Sequence, residues 1–526
     1  MRHRSLWMAV LLLLMQFWLR AHHPTQLPFF WDENRHMVRA DAITDGGHPA
    51  ENSHGKFLLY AWLAPFHVDT ERDAALHISR SAVALFSLLG AATLFTLTRR
   101  LFGTAAGYAA LAFYALAPFA MFYERMVLSD GLAAALGVLT AWHSIRLAER
   151  PTYRRGVWVG VFAALAVMAK LTMTFSTVLM PVLAGFLLGS HPILQPQTWR
   201  EWLIARWKRY WWYWVAAGVA FVVMWLPTLI PALIEGQSGH YYVLVDQSLV
   251  DTSVFSANDG NRYTEFLNQF TTMLSLPMVV VLLVAIGLGL WKLPRPTLFG
   301  LAWLLLIWVP NLLMVWRTQT RYLMPGVYAL AFLLAIGTAA ARGLPALHHR
   351  PRLVNLGIAT ILILWGVGFA LPFASTAAND AAMLNVPRWD ARDYYQAPWN
   401  AYGLLPALHY LDEQGQADAK GQVHVVGVAW MCEFMDLYHY EHIDLTCTTG
   451  KDYDSTPNGT MWQEIIEASH HQPMYLMLEQ NRKTLEIPEI PFTNSNLVWE
   501  RIAAFQRPKG GLWVTVWRVQ RFPSIG

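Results

Sequence analysis

Long apolar runs separated by short polar joints fill residues 1–371, and from residue 372 onward the pattern is that of an ordinary soluble chain. A helix needs roughly 20 apolar residues to cross about 30 Å of hydrocarbon. On that measure the runs near 5–20, 76–98, 105–122, 127–147, 156–170, 173–189, 211–233, 268–291, 297–316, 322–341 and 353–371 predict about eleven transmembrane helices. The apolar stretch 156–189 would reach ~51 Å as one helix. That is too long for one crossing, so it divides where Lys170 interrupts it. A re-entrant pair is the alternative, and it leaves the later topology unchanged.

The polar joints are uneven. The first outer joint, 21–75, holds two candidate surface helices, 33–43 and 55–65, the second with Phe57, Leu58, Leu59, Trp62 and Leu63 as an apolar stripe. A second long outer joint, 235–265, contains SANDGN (256–261), which reads as a mobile loop or lid. In the tail, 422–428 and 474–478 are strand-like and 462–469 is helix-like. The segments 497–505 and 512–519 flank QRPKGG as a hairpin. The fold class is therefore mainly α, a polytopic membrane protein with a C-terminal α/β domain. It divides into a membrane domain, 1–371, and a tail domain, 372–526.

Composition strengthens this reading. The chain of 526 residues is 55% hydrophobic and 14% charged, against about 25% charged in soluble chains. Arginines and lysines crowd alternate joints: Arg2 and Arg4; Arg99 and Arg100; Arg146, Arg150, Arg154 and Arg155; Arg200, Arg206, Lys208 and Arg209; Lys292 and Arg295; Arg342, Arg350 and Arg352. The positive-inside rule puts those joints in the cytoplasm, the N-terminus with them, and the tail outside. Tryptophans at 199, 202, 207, 211, 212 and 214 suit an interfacial belt. The first segment reads as a retained span, since no small-residue cleavage site follows it. Topology accounts for the basic residues and net charge is only +4, so nothing asks for nucleic acid. The two cysteines, Cys432 and Cys447, both lie in the tail. A disulfide is permitted in that compartment, and two separate buried thiols are the other reading.

Ionisable residues near hydrocarbon are costly, so each invites a functional reading. Asp32 and Glu33 follow three aromatics just after the first span. Such carboxylates can accept a hydroxyl proton or hold a metal; acidic residues at a solvated helix N-terminus are the plainer explanation. His48 and His54 flank a polar segment ending in Gly55 and Lys56. The histidines could ligate a metal or bind a sugar hydroxyl, the lysine could pair with a phosphate, and a helix-capping loop is the alternative. Glu124–Arg125 with Ser129–Asp130 is a third cluster, in which an interfacial ion pair accounts equally for Glu124 and Arg125. Arg317, Arg321 and Tyr322 mark a short outer turn where an anionic headgroup or simple snorkelling would explain two arginines. Lys170 is a weaker case of the same kind. These groups all fall at outer ends of different helices, as an outward cavity for an anionic amphiphile would require.

At these residues the chain resembles the GT-C glycosyltransferases of the protein O-mannosyltransferase and aminoarabinose-transferase type. The resemblance covers roughly 1–345. It rests on the Asp32–Glu33 pair after the first span, on a drawn-out His48-Pro49 … His54-Gly55-Lys56 segment, and on residues 79–103. ERMVLSDGLAAAL (124–136) and RYLMP (321–325) complete it. The tail resembles the small α/β tails of bacterial members. The resemblance implies a GT-C fold in a bacterial plasma membrane with the tail extracytoplasmic. It also implies an inverting transfer of a sugar from a polyprenyl-phosphate donor to an external hydroxyl on protein, lipid or glycan. Asp32 would be the general base and Glu33 would orient a substrate. Lys56, Arg125 and Arg321 would balance the leaving phosphate, with His54, Asp130 and Tyr322 as further substrate-binding candidates. A divalent metal is possible, without a visible ligand set. A lipid-sugar transporter and a non-enzymatic membrane receptor are the competing classes.

Overall fold

The computed structural model describes residues 2–44, 56–67, 72–189, 198–234, 261–314, 320–345, 347, 349–432, 435, 440–447, 474–480 and 497–521. All of the predicted SANDGN loop but Asn261, which begins a helix, lies outside the described residues, as do the 462–469 helix, His48, His54 and Arg317.

One compact unit comprises Met1–Gln26, His36–Asp69 and His77–Pro387. Its helices are α1 (Arg2–Ala21), α2 (Trp31–Thr44, from its second turn), α3 (Phe57–His67), α4 (Arg72–Phe102), α5 (Thr104–Leu116), α6 (Pro118–Glu124), α7 (Ser129–Glu149) and α8 (Tyr153–Ala169). They continue with α9 (Thr174–Leu188), α10 (Trp199–Ile234), α11 (Asn261–Leu274), α12 (Leu276–Lys292), α13 (Pro294–Met314), α14 (Gly326–Arg342), α15 (Pro351–Trp365) and α16 (Leu371–Asn379). Helix covers each predicted run, and both surface helices form as α2 and α3. By length and apolarity alone, five helices among the described residues can cross a membrane, or up to seven if bent pairs count once each. The expected eleven is not reached on that criterion. One reason is length: α8 and α14 have 17 residues apiece, ~26 Å of helix.

Two runs read as continuous are broken. The helix axis turns by 54° between α5 and α6 and by 101° between α11 and α12. Pro118 opens α6 and removes the N–H that would have bonded Tyr114, while Ser275 takes φ 66° ahead of Pro277. The division inside 156–189 falls where expected: α8 ends at Ala169, Lys170 is extended, and a short 3₁₀ turn leads into α9.

Close packing depends on small residues. Gly156 and Gly160 put α8 directly on α10: a Cβ at Gly160 would stand 2.0 Å from the Ala217 carbonyl oxygen. Small residues four apart allow such backbone approach in apolar surroundings. Gly160→Leu is expected to lower the thermal midpoint in detergent, an overpacking cost of about 1–3 kcal/mol. Gly218→Leu, at a position with open space around it, should leave the midpoint near that of the parent. Equal midpoints for the two variants would refute this contact. Along α12 and α15, Leu283, Val284, Leu356, Ile363 and Leu364 are exposed, a surface that lipid rather than water suits.

The second compact unit comprises Leu27–Arg35, Thr70–Leu76 and Arg388–Gly526. Its five-stranded sheet uses β1 (Val423–Val428), β2 (Ile443–Cys447), β3 (Met474–Gln480), β4 (Leu497–Gln506) and β5 (Trp513–Arg521) in the order β2-β1-β3-β5-β4. β1 runs parallel to β2 and β3, and β5 runs antiparallel to β3 and β4. The predicted hairpin forms, its turn using positive φ at Lys509 and Gly510. Helix α17 (Leu404–Ala417) packs on the sheet. Val426, Met474, Leu476, Trp517 and Val519 build the core from alternate positions on three strands. Cys432 and Cys447 are joined as a disulfide. Sequence reading named neither β2, which is short, nor α17.

Candidate active site

Asp32 and Glu33 occupy the first turn of α2, within the second unit, and they do different things. Glu33 is fully buried. Its Oε2 accepts the Phe30 N–H at 2.9 Å, and its own N–H donates to the Phe30 carbonyl at 2.8 Å. This is half of a capping box, with the carboxylate reaching back to the residue before the helix. Asp32 is half-buried and sits where the helix N-terminus favours negative charge. The plain alternative of two solvated acids does not describe Glu33.

The segment before them is held as a strand. The Trp31 N–H donates to the Trp399 carbonyl at 3.0 Å and the Ala401 N–H to the Phe29 carbonyl at 3.2 Å, pairing Phe30 with Asn400 antiparallel. Phe30 packs against Tyr394, Trp31 meets the Trp430 ring edge-on at 5.4 Å, and Arg35 lies 4.0 Å over the Trp31 ring.

The cationic candidates lie in the first unit. Lys56, at the start of α3, places Nζ 3.3 Å from His36 Nε2. An ammonium only donates, so this contact requires Nε2 as acceptor. Tyr60 lies 5.6 Å from the His36 ring, and its hydroxyl accepts from Arg39 at 3.0 Å. Sequence reasoning missed His36 and Arg39. The available signal was spacing, since His36 follows Asp32 by one turn of α2.

A second cluster joins three candidates from separate helix ends. Lys170 donates to Asp130 Oδ1, and both are buried. The same ammonium lies 4.4 Å over the Tyr322 ring, and Arg321 Nη2 donates to the Tyr322 hydroxyl at 3.2 Å. The residue ranked weakest from sequence, Lys170, is thus the link between Asp130 and Tyr322.

Arg125 and Glu124 are placed differently from expectation. Glu124 does not pair with its neighbour Arg125. It accepts from Arg20 Nε at 2.5 Å and from the Tyr114 hydroxyl. The Arg125 guanidinium donates instead to the carbonyls of Leu19 (2.9 Å), His23 (2.9 Å) and Ala377 (3.2 Å). Those bonds fasten the end of α1 and α16 to the end of α6. Among the described residues, no group of three His, Cys, Asp or Glu side chains is placed to hold a metal ion. A cavity of about 440 Å³ lined by Leu101, Phe102, Ile145, Glu149, Phe332 and Ala339 lies in the first unit. Glu149 ends α7 and Asp130 begins it, ~28 Å apart along the helix, so this cavity is not the candidate site.

Residues 58–227 match the dolichyl-phosphate-mannose-protein mannosyltransferase family. No curated protein matches the chain by sequence. The fold is similar to that of ArnT from Cupriavidus metallidurans, solved with bound undecaprenyl phosphate: TM-score 0.54 and 14% identity over 98% of this chain and 97% of that one. The apo structure of the same protein gives TM-score 0.55 and 13% identity over the same shares. Helix order, the small C-terminal sheet and the matched segment agree with the sequence resemblance: the chain has apolar helices that can cross a membrane, a fold similar to that of ArnT, and a segment that matches the mannosyltransferase family.

Proposed function

We propose that the protein transfers a sugar from a polyprenyl-phosphate donor to a hydroxyl group on the external face of the membrane, with inversion at the anomeric carbon. The observation that carries the reading is the division between two adjacent acids. Glu33 is buried and caps the start of α2, while Asp32 in the same turn is half-buried, which supports Asp32 as the base. The match of 58–227 to a mannosyltransferase family and the ArnT fold support the same class. Undecaprenyl phosphate in the ArnT structure supports the donor class.

Asp32 takes the proton of the acceptor hydroxyl. The acceptor oxygen then forms its bond to the anomeric carbon as the bond from that carbon to the phosphate oxygen breaks. The polyprenyl phosphate leaves with both electrons of that bond, and the proton stays on Asp32. Lys56, Arg321 and Lys170 offset the charge that grows on the leaving phosphate, the kind of preorganised electrostatic help that dominates many transfers. Arg125, bonded to three carbonyls, acts as scaffold. The disulfide suits an oxidising compartment, which supports an extracytoplasmic tail and, in the same compact unit, an extracytoplasmic Asp32.

Membranes carrying the protein, given labelled polyprenyl-phosphate sugars, test this directly. Label arriving on an acceptor supports transfer. Label bound or translocated without transfer would overturn it in favour of a receptor or transporter. Lys56→Ala is expected to raise the donor KM by roughly tenfold or more, since a hydrogen bond to a charged group contributes about 1.5–3 kcal/mol. An unchanged donor KM removes Lys56 from the phosphate site.

A further inference from the structure

The tail contains a buried polar circuit with no place in the transfer chemistry. Arg507 is almost wholly buried, and its Nη2 donates to Glu479 Oε1. Its Nη1 donates to Asn400 twice, to the backbone carbonyl at 2.7 Å and to Oδ1 at 2.8 Å, and also to the Ala397 carbonyl. The second Glu479 oxygen accepts the Trp430 N–H at 3.2 Å. One end of the circuit therefore fixes Asn400, the strand partner of Phe30. The other end fixes Trp430, whose ring abuts Trp31. Asp32 is the next residue in the chain.

We infer that the C-terminal domain positions the catalytic base, with Trp430, Arg507 and Asn400 as positioning residues that act through the Phe29–Trp31 strand. The inference rests on Asp32 being that base. Three features of the chain fit it. Burying a guanidinium and a carboxylate together is costly, and replacing such a pair by apolar residues is often neutral or better for stability. What the pair provides here is direction: Arg507 has a rigid planar fork that sets the Asn400 backbone from both its carbonyl and its side chain. The disulfide adds a second restraint, since Cys432 lies two residues beyond Trp430 and ties that turn to Cys447 at the end of β2. Finally, a bridge of one residue pair is too short to hold its register alone, so its geometry depends on what braces it from either side.

The experiment uses the full-length protein in nanodiscs and two readouts. Trp430 is half-buried in the turn after β1 and outside the core cluster of the sheet, so Trp430→Ala spares the core. Hydrogen exchange of peptides spanning 28–33 and 398–403 should rise by roughly tenfold in this variant, as local opening becomes easier, with membrane-helix peptides unchanged. Sugar transfer should lose kcat by roughly 10- to 100-fold, the scale of a small misplacement of a reacting group, at constant donor KM. Trp430→Phe keeps an aromatic edge against Trp31 and should recover most of both. Arg507→Lys keeps the charge opposite Glu479 but loses the fork on Asn400, and should act in the same direction. Unchanged exchange in both variants, or faster exchange with undiminished kcat, overturns the inference. Failure of the underlying reading shows elsewhere: if Asp32→Asn retains transfer, there is no base at that position to place, whatever the exchange data give.

Discussion

Asp32→Asn lowers sugar transfer by about 10²–10⁴-fold, the usual cost of removing a general base, while the protein still accumulates in the membrane. The expectation follows from what holds the helix start. Glu33 caps α2 by accepting the Phe30 N–H, and Phe29–Trp31 is paired with 399–401 through backbone groups. Neither depends on the Asp32 side chain, and asparagine matches its volume. Losing the charge at the helix N-terminus costs about 0.3–1 kcal/mol. Glu33→Gln separates the two roles. A glutamine oxygen can accept the same N–H, so the cap survives and transfer should fall far less than in Asp32→Asn. The measurement is initial rate against donor concentration, with protein quantified in each membrane preparation. Equal losses in the two variants would remove the distinction between base and cap; near-parent activity in Asp32→Asn would remove the base.

That distinction was not legible from spacing. Two adjacent acids after three aromatics look equivalent in sequence, and only the turn of the helix sends Glu33 back to Phe30. Membrane helices were legible because hydrocarbon demands long apolar runs, and the hairpin because QRPKGG supplies positive-φ turn residues. Breaks inside runs were harder. Pro118 and Pro277 were visible, yet prolines are tolerated in membrane helices when neighbours satisfy the freed carbonyls. Lys170 was undervalued for a related reason: its partner Asp130 is 40 residues away, and sequence gives no sign of which buried charges meet. The role of the tail was the least accessible. Its link to Phe30 runs through backbone pairing with Asn400, which places no constraint on side-chain type.

Arg20→Met destabilises the protein severely, by about 3–5 kcal/mol, the cost of leaving a buried partner charge uncompensated. Arg20 and Glu124 are fully buried and bonded at 2.5 Å. The guanidinium also donates to the carbonyls of Ala115 at 2.9 Å, Tyr114 at 3.2 Å and Gln16 at 3.2 Å. The first two contacts explain why arginine stands here. In a continuous helix the residue at 118 would donate to the Tyr114 carbonyl, but Pro118 has no N–H, and the axis bends by 54° at that point. The Ala117 N–H reaches the Tyr114 carbonyl at 3.3 Å and Arg20 adds donors to it and to Ala115, so the break between α5 and α6 is braced by a side chain from α1. Removing it leaves Glu124 with the Tyr114 hydroxyl but no counter-charge, and takes a donor from the Ala115 carbonyl in apolar surroundings, while the Tyr114 carbonyl keeps the Ala117 N–H at 3.3 Å. Glu124→Gln keeps a hydrogen-bond acceptor for Arg20 and for the Tyr114 hydroxyl, and should cost less than Arg20→Met. The Arg20→Met/Glu124→Gln double variant no longer buries a lone carboxylate. Its loss should fall short of the summed single losses by about 0.5–3 kcal/mol, the range found for groups in contact. Thermal unfolding of the detergent-solubilised single and double variants measures this. Strict additivity would mean that the two charges do not support one another, and an Arg20→Met midpoint equal to the parent's would mean that the break between α5 and α6 stands without the guanidinium.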